Sequence, residues 1–221
     1  MGTRPDWLSG SCPPEPYDVG DRSVVWAGHR MAEALAEYLP GDLWPASTRH
    51  HGAGLRGDGF EVFWQGLGSA SGLVYVQVRG EAFDSLSEAE ALELLRMANG
   101  WRLAATRFDL CRDVLGLSVA GLRDAVVRGG VVSRAHSIDY TEGLRGANGR
   151  TLTIGSRSSD RYVRIYDRRG PTRIEVQLGR GMAAAAVERV LASGSFDGEW
   201  RAQVTSAVRF ASSPAWAGAV A

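Results

Sequence analysis

Apolar positions along the chain recur with two periods. From Val24 to Leu39, Met31, Leu35 and Tyr38 fall at helical spacing and the run stops at Pro40-Gly41, which predicts an amphipathic helix. Ser87 to Ala98 has the same period and opens on Ser87 with Glu90 three positions later, the signature of a capping box. Two β-rich runs, GFEVFWQGL and GLVYVQVRG, flank the turn-forming Gly68 to Gly72 and read as a hairpin. WRLAATRFDLCRDVLGLS predicts a strand leading into a helix from Ser118 to Arg128. Strand-like alternation then returns at Arg134 to Thr141, Thr151 to Ile154, Arg161 to Tyr166 and Thr172 to Leu178. Helices are expected at Met182 to Ser193 and from Trp200 to Phe210, while Pro45 to Gly59 reads as loop.

This order of elements predicts an α+β fold, a mostly antiparallel sheet with helices packed on one face. The expected layout is an N-terminal strand around Trp7-Leu8 followed by loop over residues 1–22, then a single domain over residues 23–221 with its core at 102–178. With 221 residues, 44% of them hydrophobic, the chain can bury a substantial core.

Composition narrows the field. Neither a long apolar run nor a basic-then-apolar leader is evident, so a cytoplasmic protein without membrane association is expected. Two distant cysteines, Cys12 and Cys111, make neither a disulfide framework nor a zinc cluster, and the four histidines lack ligand spacing. A net charge of zero conceals an asymmetry: residues 102–180 hold fifteen Arg against eight acids, or +7, and the remainder ten against seventeen, or −7. The basic stretch is therefore the candidate phosphate-binding part. All 25 basic residues are Arg, a pattern that GC-rich coding alone explains.

Candidate chemistry lies in that basic stretch. On the strand Arg107 to Asp113, alternation places Arg107, Asp109, Cys111 and Asp113 on one face. Two carboxylates so placed suit a hard divalent cation such as Mg²⁺ or Mn²⁺, which completes its shell with phosphate and water. The same residues also allow a purely structural reading, with Asp113 capping a turn and Asp109 paired to Arg107. On the run Arg161 to Tyr166, alternation puts Tyr162, Arg164 and Tyr166 together, opposite Val163 and Ile165. The next run places Arg173, Glu175 and Gln177 on its polar face, and a hairpin would set Arg164 near Glu175 and Tyr166 near Arg173. A free tyrosine titrates at about 10, so it attacks poorly at neutral pH unless cations stabilise the phenolate. Arg164, Arg173 and a bound metal would do so, and would also offset charge on a phosphoryl group under attack.

The string T-x-T-I-G-S-R-x-S-x-x-x-x-R-I-Y-D, from Thr151 to Asp167, resembles the motif of the trans-acting replication initiators of rolling-circle plasmids and filamentous phages, a family that includes relaxases of certain conjugative elements. T-R-F-D-L-C-R-D resembles that family's R-x-D-x-x-x-D strand, R-I-E-V-Q-L its glutamate strand, and Asp6-Trp7-Leu8 its opening strand. The resemblance implies a replication-initiator, relaxase-like catalytic domain: a metal-dependent nickase-ligase in which Tyr166 attacks one DNA strand, keeps the 5′ phosphate and frees a 3′ hydroxyl. It carries Asp109, Asp113 and Glu175 over as metal ligands for Mg²⁺ or Mn²⁺, Asp109 foremost. Arg107, Arg157, Arg161, Tyr162 and Arg168 become candidate DNA contacts, with Tyr162 or Trp101 stacking on a base. The implied partners are origin DNA, single-stranded or extruded as a hairpin, together with a host helicase and a second copy of the chain.

The chain departs from the family pattern in having Arg168 where Lys is common and a shorter link, Arg168 to Thr172, before the glutamate strand. Two other readings share these residues. A conjugative relaxase has the same chemistry, and a DNA-binding regulator on the same fold would lack it.

Overall fold

In chain order the elements are β1 (Arg4–Cys12), α1 (Ser23–Tyr38), β2 (Trp44–Thr48), β3 (His51–Gly57), β4 (Phe60–Gly66), β5 (Val74–Arg79), α2 (Gly80–Phe83) and α3 (Glu88–Gly100). They continue with β6 (Ala104–Val114), α4 (Val119–Val127), β7 (Val131–Ser133), β8 (Ile138–Glu142), β9 (Arg150–Ile154), β10 (Arg161–Asp167) and β11 (Thr172–Gly179). The last four are α5 (Arg180–Ser193), α6 (Phe196–Ala207), β12 (Val208–Phe210) and α7 (Pro214–Val220). The computed structural model describes residues 2–14, 23–39, 41–66, 68, 72–143, 149–211 and 213–221. The loop expected before residue 23 and most of the turn between β4 and β5 lie outside the described residues. The architecture is α+β with antiparallel strand pairing, as the periodicity predicts.

The chain divides into two compact units. The first comprises Pro5–Phe108 and Ala183–Gly194; the second comprises the residues up to Arg4, Asp109–Met182 and Ser195–Ala221. The division does not follow a boundary at residue 22, because β1 pairs with β5 from Trp7↔Arg79 to Cys12↔Val74 and so belongs with the elements that follow it. In sequence, β6 passes from one unit to the other at Phe108-Asp109.

In the first unit the strand order is β2-β3-β4-β5-β1. Helix α1 packs against β3, β4 and β5, burying Ala27, Met31, Ala32 and Leu35. The capping box of α3 is present: the Ser87 hydroxyl accepts from the Glu90 amide at 3.3 Å, and the Ser87 amide donates to Glu90 Oε2 at 2.8 Å. The loop expected over Pro45 to Gly59 is instead the β2–β3 hairpin, in register from Trp44↔Arg56 to Thr48↔His51. Its glycines hid it. Gly54 and Gly57 sit opposite Phe63 and Phe60 on β4, whose rings occupy the space that a Cβ on either glycine would need. The side-chain contribution to these strands therefore comes from the neighbouring strand. Pro45 and a register shift between Ala46 and Thr48 suit β2, the last strand in the order.

In the second unit the order is β6-β11-β10-β9-β8, with β7 and β12 forming a separate pair. Helix α4 packs against β9 and β10, and α6 against β10 and β11. Between them lie the fully buried Val163, Ile165, Ile174 and Val176. Trp200 of α6 is fully buried as well, and its Nε1 donates to the Ile174 carbonyl at 3.3 Å. The helix expected through Phe210 ends at Ala207, where Val208–Phe210 extends and pairs with Val131–Ser133. Branched and aromatic side chains there favour the strand once a partner strand is in place. The alternating run Arg134 to Thr141 is likewise interrupted, and only Ile138–Glu142 pairs with β9. Among the described residues no helix is long and apolar enough to cross a membrane.

Candidate active site

Three neighbouring strands of the second unit, β6, β11 and β10, bring the candidate residues together. The β10–β11 hairpin has the register expected from alternation, Arg164↔Glu175 and Tyr166↔Arg173. Its turn is closed by the Arg168 amide donating to the Pro171 carbonyl at 2.9 Å, with Gly170 at φ +113°, a conformation that side chains disfavour. The short link therefore makes a tight turn while Asp167 still pairs with Thr172.

Alternation alone expects Arg173 and Glu175 on a polar face, yet they are only 3% and 1% exposed. The interior position of β11, between β6 and β10, explains their burial: their polar groups are satisfied by side chains instead of water. The Tyr166 hydroxyl donates to Glu175 Oε2 at 3.2 Å, and Arg164 donates to Glu175 Oε1. The Arg164 guanidinium also lies 5.7 Å from the centre of the Tyr166 ring. Burial alone would lower the Arg164 pKa, but the charge and hydrogen bond of Glu175, joined by Tyr166 and Asp109, raise it instead, so this side chain stays cationic. One cation is thus shared among Glu175, Tyr166 and the fully buried Asp109.

Asp113 has a different role from the one its spacing suggests. Arg173 forks onto it, Nε at 2.7 Å from one oxygen and Nη2 at 2.9 Å from the other, and Arg4 adds a contact at 3.2 Å. Burial would raise the Asp113 pKa; hydrogen bonds and charge from Arg173, then Arg4, reverse that and hold it below the usual carboxylate value. Both oxygens of Asp113 are engaged by guanidinium donors, as both oxygens of Glu175 are engaged by Arg164 and Tyr166. Among the described residues no group of three or more His, Cys, Asp or Glu is placed to hold a metal ion. A site of two carboxylates remains chemically suitable for Mg²⁺ or Mn²⁺, because such ions commonly keep water and borrow phosphate oxygens. Glu175 is bridged to Arg164, and the charge of Asp109 also acts on that guanidinium.

Tyr166 is half-buried and lines a cleft of about 970 Å³ together with Asp167, Arg168, Arg169 and Arg150. Arg150 is tied to Glu142 at 2.8 Å and approaches Asp167 at 3.8 Å. Arg168 and Arg169 are exposed and make no ion pair among the described residues. The cleft thus presents a hydroxyl, held by a buried carboxylate with a half-buried guanidinium alongside, beside two cations facing solvent.

The remaining candidates are dispersed. Arg107 belongs to the first unit, where its guanidinium lies 4.4 Å from the centre of the Trp7 ring. Arg157 is exposed on the turn before β10, and Arg161 is half-buried at the start of that strand. Tyr162 and Trp101 are 6% and 8% exposed, so neither offers an open ring for base stacking. The alternation that put Tyr162 beside Tyr166 is correct, but it does not report depth. Arg4 was not legible as a partner of Asp113, 109 positions away. Arg169 had a readable signal in the Arg168-Arg169 pair at the hairpin turn. Cys12 and Cys111 are free thiols, both buried.

No protein-family model and no curated protein matches the chain. Among solved structures it is similar to a rolling circle replication initiator protein from Geobacillus stearothermophilus, with a TM-score of 0.73 and 17% sequence identity over 99% of this chain and 95% of that one. At that identity the likeness concerns the fold, and it extends over nearly the whole of both chains.

Proposed function

We propose that this chain is a rolling-circle replication initiator that nicks and rejoins one DNA strand through Tyr166. The observation that carries the reading is the hydrogen bond from the Tyr166 hydroxyl to Glu175 Oε2 at 3.2 Å, within a cleft that also presents Arg168 and Arg169. The motif that includes Tyr166 and the fold likeness to an initiator support it independently.

In the proposed reaction Glu175 accepts the phenolic proton as the Tyr166 oxygen attacks a backbone phosphorus. The bond from tyrosine oxygen to phosphorus forms, the bond from phosphorus to the 3′ oxygen breaks, and that oxygen departs as a hydroxyl after taking up a proton. One phosphodiester replaces another, so rejoining is the same exchange in reverse and needs no nucleotide cofactor. Arg164 holds Glu175 in place and opposes negative charge on the phenolic oxygen, while Arg168 and Arg169 face the phosphate backbone. Asp109 and Glu175 would hold Mg²⁺ or Mn²⁺, which supplies Lewis-acid stabilisation of the phosphoryl oxygens. Arg173 acts through structure, fixing Asp113, which lines the same cleft as Tyr166. A conjugative relaxase would use the same residues, and the DNA it cuts distinguishes it.

The test is formation of a covalent protein–DNA adduct on supercoiled DNA carrying the cognate origin, or on a labelled single strand of it, with Mg²⁺ or Mn²⁺ and with chelator. Tyr166→Phe is expected to abolish the adduct and Tyr162→Phe to retain it. The reverse pattern would move the nucleophile four residues back along β10, and adduct from both variants would remove tyrosine chemistry from this strand.

A further inference from the structure

We propose that the second unit carries a separate DNA-backbone site, built by Arg134, Arg161 and Arg209, at the opposite end of β10 from Tyr166. This rests on the reading above that the chain acts on DNA. Two adjoining hollows of about 310 and 390 Å³ share Arg134 and Ala207 in their walls. Arg209 lines the first and Arg161 and His136 line the second, with Asp160 as the carboxylate among the lining residues.

Among the described residues, Arg134 and Arg209 bring unpaired charge to this surface, as Arg168 and Arg169 do to the Tyr166 cleft. Arg112, Arg123, Arg150, Arg164, Arg173 and Arg201, all in the same unit, each bridge to a carboxylate. Arg134 and Arg209 are exposed and make no ion pair among the described residues; the same holds for Arg157 on the neighbouring turn. Exposed guanidiniums without a carboxylate partner are available to an external anion.

The arginines stand on an anchored platform. Arg209 pairs with Val132, and Arg134 follows directly on the end of β7, two positions beyond Val132. The two guanidiniums therefore stand on adjoining stretches and can meet separate phosphates of one strand. The Ser133 hydroxyl donates to the Ala207 carbonyl at 2.8 Å and the Gly155 amide to the Ser137 carbonyl at 3.0 Å, fixing this segment at both ends. Among the described residues no Phe, Tyr or Trp lines either hollow, so the chemistry suits phosphates and not stacked bases. Five steps along β10 separate Arg161 from Tyr166, about 17 Å at strand rise. The groove would therefore hold the strand several nucleotides away from the phosphate under attack.

The experiment is fluorescence anisotropy of a labelled 20-nucleotide single strand of mixed sequence, titrated with wild type, Arg209→Gln and the double variant Arg134→Gln/Arg209→Gln across a salt series. Each lost phosphate contact is expected to reduce the slope of log affinity against log salt by about 0.7, or about 1.4 for the double variant. Between about 50 and 200 mM salt, the wild type would then lose roughly sevenfold more affinity than the double variant. Wild-type slope and affinity in the double variant would overturn this site while leaving the Tyr166 reading intact. Failure of the wild type to bind the strand would overturn both.

Discussion

The Arg173–Asp113 pair offers a quantitative test of how the site is held. Its side chains are 4% and 8% exposed, and both carboxylate oxygens receive guanidinium hydrogens, at 2.7 and 2.9 Å. Asp113→Ala leaves the Arg173 cation buried without its carboxylate, and breaking such a pair costs about 3–5 kcal/mol. A loss of about 4 kcal/mol approaches a thousandfold in the folding equilibrium. The exposed pair Arg30–Glu33, at 58% and 54%, is the control, and Glu33→Ala should cost about 0.5 kcal/mol or less. Urea unfolding followed by tryptophan fluorescence measures both. Replacing both partners, Asp113→Leu with Arg173→Met, should recover most of the loss, because the penalty comes from the stranded charge. The Asp113 pKa is lower in the folded protein than in the unfolded chain. The stability it contributes is therefore complete above the unfolded value of about 3.9 and disappears as pH falls through the depressed folded value. Wild type should show this acid loss and Asp113→Ala should lack it. A cost below about 1 kcal/mol for Asp113→Ala would refute the assignment of a desolvated pair.

Three further outcomes follow from the geometry. Glu175→Gln removes the proton acceptor of Tyr166 and should slow adduct formation at neutral pH by about 10²–10⁴, with the rate recovering as pH rises towards the ordinary tyrosine pKa of about 10; an unchanged rate-pH profile would assign the proton elsewhere. Gly10→Ala drives a Cβ to within 2.9 Å of Ala105 Cα, backbone that cannot rotate aside, and should cost about 1–3 kcal/mol in chemical denaturation. Cys12 and Cys111 are 0% exposed and burial pushes the Cys12 thiol up to about 12, so a thiol reagent at mildly alkaline pH should label neither in the native protein and both after unfolding.

Local rules made the hairpin that carries Tyr166 legible. Strand alternation separates Tyr166 and Arg164 from Val163 and Ile165, and the tight turn at Gly170 sets the pairing of Arg164 with Glu175 and of Tyr166 with Arg173. The Ser87 cap and the Met31–Leu35 stripe were readable for the same reason: each signal lies within a few residues of the structure it specifies. Where the periodic signal misled, a distant strand supplied the missing term. The β2–β3 hairpin depends on the rings of Phe60 and Phe63, and the strand at Val208–Phe210 depends on Val131–Ser133.

Depth and pairing belonged to the tertiary structure. Period-two alternation assigns a face but does not say whether water or another strand covers it, so it could place Glu175 beside Tyr166 without revealing that both Glu175 and Arg173 are buried. The surroundings of Asp113 turned on Arg4 and Arg173, separated from it by 109 and 60 positions, and that contact makes it the anchor of a buried arginine. The sequence by itself determined which side chains share the face of the candidate nucleophile, because that information is local to one hairpin. Only the tertiary structure decided which cation each buried carboxylate meets, because a charge moved out of water takes the opposite charge that the folded chain brings within reach.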